Sequence, residues 1–225
     1  MKVIHLISGG DSGGAKTHVL SLLQNLSRTI EVDMVCFMEG PFAQEARELG
    51  ISTQVYSDRN VLRTLRLLKQ KIREGGYDLI HCHGARGNMM GAFLRKSTGL
   101  PVVTTVHSDY RLDYLGRPFS KLTYGTINTL ALRRLDCRIG VSDAMVDLLI
   151  SRGFDPDKLF ALYNGIDFTL PPPALDRMAY LRSVGLEVDE TSVVAGIAAR
   201  LNPVKDIATL IRGFAKAHAA CPQLR

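Results

Sequence analysis

Short apolar runs alternate with amphipathic stretches along most of the chain. Residues 2–8 form an apolar run typical of a buried strand, and residues 13–28 then place Val19, Leu22, Leu23 and Leu26 at helical spacing. The same alternation predicts strands near 31–38, 52–56, 77–83, 101–107, 138–142 and 158–163, with helices near 41–49, 61–74, 86–97 and 143–152. A long segment without an assigned element runs from 107 to about 134. Strands joined through helices imply right-handed crossovers, so the pattern predicts an α/β fold with a doubly wound, mainly parallel, Rossmann-like sheet.

The character of the sequence changes at about residue 168. Pro171, Pro172 and Pro173 cannot continue a helix or sheet interior, and a new strand (192–199) and helix (204–220) follow. We therefore expect an N-terminal domain over 1–168, a linker and connecting helix over 169–191, and the first strand and helix of an incomplete second α/β domain over 192–225. One strand and one helix cannot bury a core, so the chain is expected to be a fragment of a longer protein.

Composition narrows the class of protein only partly. With 225 residues, 46% hydrophobic and 22% charged, the chain is an ordinary globular sequence, which excludes disorder and collagen-like repeats. No apolar run approaches the roughly 18 residues of a spanning helix, so any membrane contact is expected to be peripheral. The four cysteines form no C-x-x-C pair, which favours a reducing, cytoplasmic setting.

The net charge of +6 favours an anionic partner. A phosphate-bearing substrate, an acidic lipid surface and nucleic acid are all compatible with it, and a basic, solvated surface is the alternative. The helix predicted near 61–74 is amphipathic, with Arg66, Lys69 and Arg73 flanking its apolar face. Such a helix could rest on acidic lipid, but a solvated helix face is the favoured interpretation.

A glycine-rich loop over residues 8–15 joins the first strand to the first helix. Its four glycines, among them Gly13 and Gly14, allow backbone N–H groups to converge at a helix N-terminus and hold an anion such as a phosphate. The alternative is a tight turn without a ligand. The loop nearly matches a Walker A motif, but Ala15 replaces the last glycine before Lys16, so a P-loop NTPase is kept only as an alternative function.

A dinucleotide-binding motif is a still weaker possibility. The G-x-G-x-x-G pattern fails at Ser8, although Glu39 ends the second strand, where a ribose-binding acid could lie.

Histidines mark the ends of two predicted strands. His81 and His83 share one face of their strand and Cys82 takes the other, so these three cannot jointly chelate one zinc. His107 ends the next strand, and ligands of such sheets bind outside the carboxyl ends of the strands. Substrate contact is therefore predicted for His83 and His107, with hydrogen bonds to neighbouring loops as the structural alternative.

Polar segments follow the strands at three further places. Asp109 and Tyr110 begin a polar, aromatic segment that continues through Arg111, Asp113, Tyr114 and Arg117 and suits a lid or an acceptor contact. Asn164 and Gly165 follow the last strand of the first domain, where the glycine permits a turn. Arg200 and Lys205 flank the start of the last predicted helix, and together they outline a clamp for a diphosphate.

Taken in order, these motifs resemble glycosyltransferase family four, of GT-B fold. The resemblance rests on six motifs: Gly13-Gly14-Ala15-x-Thr17-His18-Val19, Asp78-Leu79-Ile80-His81-x-His83, Val103-Thr104-Thr105-Val106-His107, Val141-Ser142-x5-Leu148, Asn164-Gly165-Ile166-Asp167 and Gly196-x3-Arg200-Leu201-x3-Lys205. It runs the full length of the chain. Asp206 stands where many members have glycine, and the family's later E-x7-E motif is absent from these residues.

The resemblance implies a retaining transferase that moves a sugar from a UDP- or GDP-type nucleotide sugar to a glycan, lipid-linked or small-molecule acceptor, in polysaccharide or glycolipid biosynthesis. It implies no cofactor, no metal and no nucleic acid partner. By carry-over, His107 lies at the reaction centre, and Gly13, Gly14, Arg200 and Lys205 bind the donor diphosphate. Residues lining the acceptor side of the cleft would be His83, Asp109, Tyr110, Asn164 and Gly165. The fragment alone is expected to be inactive.

Alternatives from other classes stay open. A P-loop-like NTPase would bind ATP and magnesium at Lys16, whereas a non-catalytic sugar- or lipid-binding module would need no donor domain. A GT-B epimerase is a further enzyme alternative, because a shared fold does not determine the reaction.

Overall fold

The computed structural model describes residues 1–10, 14–58, 60–112, 121–165, 175–199, 201 and 203–225. By their contacts they form two units, Met1–Gly165 and Ile166–Arg225. The predicted boundary after residue 168 falls outside the described residues, and the finer domain limits stay a prediction. In the part of the chain that is described, no helix is both long and apolar enough to cross a bilayer.

Seven parallel strands make up the sheet of the first unit. They are β1 (Lys2–Ile7), β2 (Glu31–Cys36), β3 (Ser52–Val55), β4 (Leu79–His83), β5 (Val102–Val106), β6 (Cys137–Gly140) and β7 (Leu159–Ala161). Their order across the sheet is β3-β2-β1-β4-β5-β6-β7. The chain thus builds outward from β1 in one direction and then from β4 in the other, which confirms the predicted doubly wound sheet. The change of direction opens a crevice at the carboxyl ends of β1 and β4.

Helices cover both faces of this sheet. They are α1 (Gly14–Leu26), α2 (Pro41–Glu48), α3 (Val61–Gly75), α4 (Gly84–Thr98), α5 (Thr126–Arg134) and α6 (Asp143–Ser151). Local chemistry sets several of their ends. The Asn60 side chain accepts a hydrogen bond from the Arg63 N–H at the start of α3, and Gly76 ends that helix in the left-handed conformation.

The two faces carry separate cores. Under α3 and α4, Ile4 and Ile80 of the sheet pack with Leu68 of α3 and Leu94 of α4. Under α1 and α2, the core consists of Ile7, Val19, Leu20, Leu23, Val32, Met34, Cys36, Phe42, Ala43, Ala46 and Ile51. Each of the two layers removes large apolar surface from water, which is the main force holding the unit together.

Helix α4 lies unusually close to β1. A Cβ atom on Gly87 would come within 2.5 Å of the Leu6 carbonyl oxygen, and one on Gly91 within 2.3 Å of the Cys82 sulfur. The absence of side chains at these two positions therefore allows α4 to lie directly on the strands that carry the crevice.

Helix α5 was not predicted. Its apolar residues Ile127 and Leu130 are 43% and 47% exposed, whereas Asn128 is buried and accepts a hydrogen bond from the Asn88 amide at 2.9 Å. A buried polar residue among exposed apolar ones reverses the pattern on which helix prediction depends. A π-helical turn, Lys121–Gly125, precedes α5.

The second unit contains helices α7 (Arg177–Ser183) and α8 (Ile207–Ala220). The strand predicted over 192–199 needs correcting, since its described residues show only an isolated parallel bridge between Val193 and Leu224. A strand requires a hydrogen-bonded neighbour along its length, and among the described residues only 223–225 pair with this segment.

Candidate active site

Three histidines meet on one face of the sheet, beside the crevice. His5 of β1 lies directly opposite His81 of β4, and Ile7 lies opposite His83. Alternate residues of a strand point to the same face, so the three imidazoles share the face that α1 and α2 cover. All three are buried, with exposures of 0%, 7% and 1%.

These rings continue into a contiguous group that we call the histidine row: His5, His81, His83, His107 and His18. His5 Nδ1 and His83 Nε2 are hydrogen-bonded at 3.1 Å. The ring centroids of His81 and His83 are 4.3 Å apart, those of His83 and His107 5.8 Å, and those of His107 and His18 5.0 Å. The row therefore runs from the middle of β1 to the loop after β5 and the first turns of α1.

Burial keeps the histidine row neutral. It lowers the pKa of His81 to about 3 and that of His107 to about 4, with the neighbouring imidazoles His107 and His18 respectively adding to the effect. Burial likewise holds the pKa values of His5 and His83 well below the usual range. Each neutral imidazole carries one donor and one acceptor, so the histidine row can both donate and accept hydrogen bonds without carrying a net charge.

Three nitrogen atoms of the row lack a partner in the described part of the chain. They are His5 Nε2, His83 Nδ1 and His107 Nε2, and each is buried. By contrast, His81 Nε2 lies 2.8 Å from the Thr105 hydroxyl. Buried polar atoms are normally satisfied, so two open nitrogens near the carboxyl edge, on His83 and His107, indicate positions where a ligand or water is expected to bind.

A metal is the first alternative for these histidines. The ligand nitrogens of His5, His81 and His83 all lie within 4.8 Å of one another. Two of the rings already share a hydrogen bond and the third bonds to Thr105, so a metal would have to replace these contacts. The group includes no carboxylate to offset the charge of a buried dication. The expectation that no metal is required stays a prediction.

The loop after β5 is fixed by an ion pair. Arg152, just after α6, makes two hydrogen bonds to the Asp109 carboxylate, which lowers the pKa of that group. Its guanidinium also lies 5.0 Å from the centre of the Tyr110 ring. Because Asp109 lies two residues beyond His107, this pair holds the segment that carries the candidate catalytic histidine.

The structure places the Tyr110 ring away from solvent, while the acceptor role expected for this residue stays a prediction. Its side chain is 3% exposed and packs edge-on against Phe154, so it belongs to the core under α6 and does not lie in an open lid. An aromatic ring beside a partly buried arginine gains more from burial than from contact with solvent. Residues 113–117 of the predicted lid lie outside the described residues.

The glycine loop is only partly described. Gly9 adopts a positive φ of 86°, and a Cβ there would come within 2.8 Å of the Met38 carbonyl oxygen, so the loop passes tightly over the end of β2. Gly14 begins α1 and is exposed, whereas Gly13 lies outside the described residues. Lys16, the lysine of the near Walker A motif, is paired with Glu45 of α2.

The remaining predicted site residues do not belong to the histidine row. Glu39, the weak candidate for ribose binding, is paired with Arg47 at 2.8 Å. Asn164 and Gly165 are exposed at the end of the first unit. Lys205 is exposed in the turn before α8, while Arg200 lies outside the described residues. The roles predicted for these residues stay predictions.

Sequence reasoning missed His5, His18 and Arg152. His5 lies within the first strand, and only the register of β1 against β4 brings it to His81. The spacing within α1 could have placed His18 near the loop, because it lies in the first turns after Gly14. Arg152 pairs with Asp109 across 43 residues, a contact that no local pattern indicates.

The sheet order and the crevice at β1 and β4 define a Rossmann-like domain of the GT-B type. The crystal structure of Anabaena Alr3699/HepE in complex with UDP-glucose has this fold, with a TM-score of 0.77 and 23% identity, and the match covers 100% of this chain and 59% of that one. The model of Glycosyltransferase Family 4 matches residues 12–170. The chain belongs to that family.

Curated relatives agree with this assignment. A D-inositol 3-phosphate glycosyltransferase of Corynebacterium efficiens is 27% identical, over 95% of this chain and 56% of the relative. The UDP-Gal:alpha-D-GlcNAc-diphosphoundecaprenol alpha-1,3-galactosyltransferase of Escherichia coli is 23% identical, over 78% of this chain and 47% of its own length. The chain thus spans about half the length of the curated relatives that it matches.

Proposed function

We propose that these residues form part of a retaining glycosyltransferase that moves a sugar from a UDP- or GDP-type nucleotide sugar to a glycan, lipid-linked or small-molecule acceptor. The observation that carries the proposal is the row of neutral histidines at the crevice of a family 4 domain, with open nitrogens on His83 and His107. The similarity to relatives that use UDP-galactose or are solved with UDP-glucose supports a nucleotide sugar as donor.

His107 is assigned to the reaction centre. Its ring follows β5 at the carboxyl edge, and burial keeps it uncharged at neutral pH. A neutral imidazole can form a hydrogen bond with a sugar hydroxyl, and it adds no charge beside the departing diphosphate. His83 lies one ring deeper and is assigned to the acceptor side of the cleft, with Asp109 holding the loop through Arg152.

The donor diphosphate is assigned to Gly13, Gly14, Arg200 and Lys205. Backbone N–H groups at a helix N-terminus and paired cations stabilise a leaving diphosphate best where water is excluded. Asn164 and Gly165 are assigned to the cleft. Tyr110 keeps only an indirect role, since its ring is buried against Phe154. We propose that no metal or other cofactor takes part.

The test is donor turnover by the whole protein, assayed with EDTA against a panel of UDP- and GDP-sugars. We expect His107→Ala to lower kcat by about a hundredfold, the lower end for a positioned proton-transfer or hydrogen-bonding group, and to leave the melting temperature nearly unchanged. His107→Gln, which keeps a hydrogen-bonding group, should recover part of the rate. The 225-residue chain alone should show no turnover.

Three outcomes would contradict parts of this proposal. Normal turnover of His107→Ala, together with a clearly lower melting temperature, would make His107 a structural residue. Activity lost in EDTA and restored by magnesium would contradict the metal-free reaction. Hydrolysis of ATP that depends on Lys16 would favour the NTPase alternative.

A further inference from the structure

Arg86, in the first turn of α4, reaches across the edge of the sheet at the crevice. It is partly buried, and its Nη1 donates a hydrogen bond to the Phe37 carbonyl oxygen at 3.1 Å. The guanidinium carbon lies 5.1 Å from the centre of the Phe37 ring. Phe37 directly follows β2, α4 directly follows β4, and β1 lies between these two strands. The side chain of Arg86 therefore passes the carboxyl end of β1, where the crevice opens.

Within the described residues, no acid is paired with Arg86. Three acids that follow neighbouring strands are each paired with another arginine: Glu39 with Arg47, Asp58 with Arg63 and Asp109 with Arg152. A guanidinium has five N–H donors, and in the described part of the chain only one of those on Arg86 has an acceptor. A partly buried cation with open donors favours an anion, because salt and water screen it less than an exposed one.

The N-terminus of α4 belongs to the same turn as this cation. The residue before the helix, His83, provides no side-chain cap, and the first turn contains no acid, so the first N–H groups are open to an anion. A Cβ on Gly84 would meet nothing within 4 Å, which leaves room for a ligand. His83 also has a buried Nδ1 that lacks a partner in the described part of the chain. Residues 83–86 therefore combine an unpartnered buried nitrogen, an uncapped helix and an unbalanced cation.

These features together favour a phosphate group as the ligand. The oxygens of a phosphate can accept hydrogen bonds from a guanidinium and from helix N–H groups at the same time, and its negative charge offsets the charge of Arg86 and the positive end of the helix dipole. A neutral sugar hydroxyl would leave the charge of Arg86 unbalanced. The sequence around α4 therefore supplies a cation and backbone donors where a phosphate can bind.

We propose that Arg86 and the first turn of α4 bind a phosphate group of the acceptor. The assignment to the acceptor rests on the proposed function, in which His83, three residues before Arg86, lies on the acceptor side of the cleft and other residues hold the donor diphosphate. Arg86 is then a specificity-determining residue, because it favours phosphorylated acceptors over neutral ones. Phosphate binding itself needs no turnover, so the site and the transferase activity can be tested separately.

The site is tested by titrating the 225-residue chain with inorganic phosphate and following amide chemical shifts in two-dimensional NMR. In wild type, the largest shifts should fall on Gly84, Ala85 and Arg86. Arg86→Gln should weaken phosphate binding by about tenfold to a hundredfold, the range for a charged hydrogen bond. Arg86→Lys, which keeps the charge but not the planar fork of donors, should lose less.

Arg133→Gln is the matched control. Arg133 also donates to a backbone carbonyl, that of Arg152 at 3.0 Å, and its guanidinium carbon also lies 5.1 Å from the centre of a phenylalanine ring, Phe154. It belongs to α5 and not to the crevice, so Arg133→Gln should bind phosphate as tightly as wild type. Circular dichroism checks that each variant is folded. Equal losses in Arg86→Gln and Arg133→Gln, or largest wild-type shifts outside the first turn of α4, would overturn the site.

The source of the phosphate is tested in the whole protein, where bound phosphate should slow amide exchange in the first turn of α4. Phosphate that still binds there in saturating UDP or GDP supports the acceptor assignment, whereas displacement by either nucleotide would assign Arg86 to the donor and overturn it. Displacement by a hexose phosphate indicates a soluble acceptor, displacement by a short prenyl diphosphate indicates a lipid-linked one, and displacement by neither would overturn the assignment. Phosphate binding without turnover of any nucleotide sugar would contradict the proposed function and leave the phosphate site standing.

Discussion

Both units contain helices with apolar residues, but the two units bury these residues to different degrees. In Met1–Gly165, Leu68 of α3 and Ile80 of β4 are completely buried; in Ile166–Arg225, Leu210 and Ile211 of α8 are 46% and 63% exposed. Among the described residues, every buried hydrophobic side chain belongs to the first unit.

The difference shows that helices and strands depend on different sources of stability. Helices α7 and α8 form from local signals: Asp176 and Asp206 cap their first turns, and good helix formers follow. A strand has no such local source of stability, because its hydrogen bonds come from neighbours. Helices therefore appear in both units, whereas among the described residues an extended ladder appears only in the first unit, where seven strands pack under helices.

The largest expected effect comes from a matched pair of helical glycines. Gly87→Ala should destabilise the first unit by about 3 kcal/mol, the upper end for an overpacked core, because the new Cβ meets the backbone of Leu6. Gly213→Ala in α8 meets nothing within 4 Å and should stabilise that helix by up to about 1 kcal/mol. Hydrogen exchange read by mass spectrometry reports the two units separately. Equal effects of the two substitutions on stability would contradict the difference in packing between the two units.

A smaller effect is expected from acid. Above pH 6.5, His81 is neutral whether the chain is folded or unfolded, so it contributes no pH dependence. As the pH falls below 6.5, the unfolded chain takes up a proton that folded His81 refuses until about pH 3. The first unit should therefore lose about 1.4 kcal/mol per pH unit from this residue alone.

His81→Gln isolates this contribution. The slope of stability against pH between 6.5 and 5 should become shallower by that amount in urea unfolding followed by circular dichroism. The comparison with the second unit uses amide protection factors in α8, corrected for the intrinsic pH dependence of exchange, and these should change little over the same range because His81 belongs to the first unit. An unchanged slope in the variant would mean that His81 takes up its proton at the same pH in the folded and in the unfolded protein.

The smallest effect should be alike in the two units. Asn60→Ala removes the cap of α3, and Asp176→Ala removes that of α7, whose carboxylate accepts from two N–H groups at 2.8 and 3.0 Å. Each change should cost about 1 kcal/mol. For α3 the loss should lower the melting temperature of the whole unit, and for α7 it should speed amide exchange about fivefold in that helix only. A global effect of Asp176→Ala would show that α7 is part of a cooperative core.

How much the sequence predicts depends on whether the signal is local. The strands from β1 to β7 and most helices follow from the alternation of mainly apolar runs with amphipathic stretches, and four of the five residues of the run Val102–Val106 are buried. Helix α5 does not, because its buried Asn128 is stabilised by Asn88 from another helix. The strand over 192–199 was predicted from its apolar residues, but its pairing depends on neighbours that apolar character alone does not supply.

The residues of the candidate site also divide into those that local sequence patterns predict and those that only contacts in the folded structure reveal. His83 and His107 follow from the rule that strand ends meet at one edge of a parallel sheet. His5 follows only from the register between β1 and β4, and the burial of Tyr110 follows only from Phe154 and Arg152, about forty residues further along the chain. The sequence predicts which residues lie at the ends of strands, but it does not predict the contacts between distant strands and helices.

The hydrogen bond between His5 and His83 also couples the tautomers of these two buried histidines. A neutral imidazole carries a single N–H, so only one proton lies between His5 Nδ1 and His83 Nε2. When His5 donates it, the proton of His83 is on Nδ1, which then acts as a donor; when His83 donates it, Nδ1 is a bare acceptor. The tautomer of His5 therefore decides whether a hydroxyl at His83 meets a proton or a lone pair, although His5 itself never touches that hydroxyl.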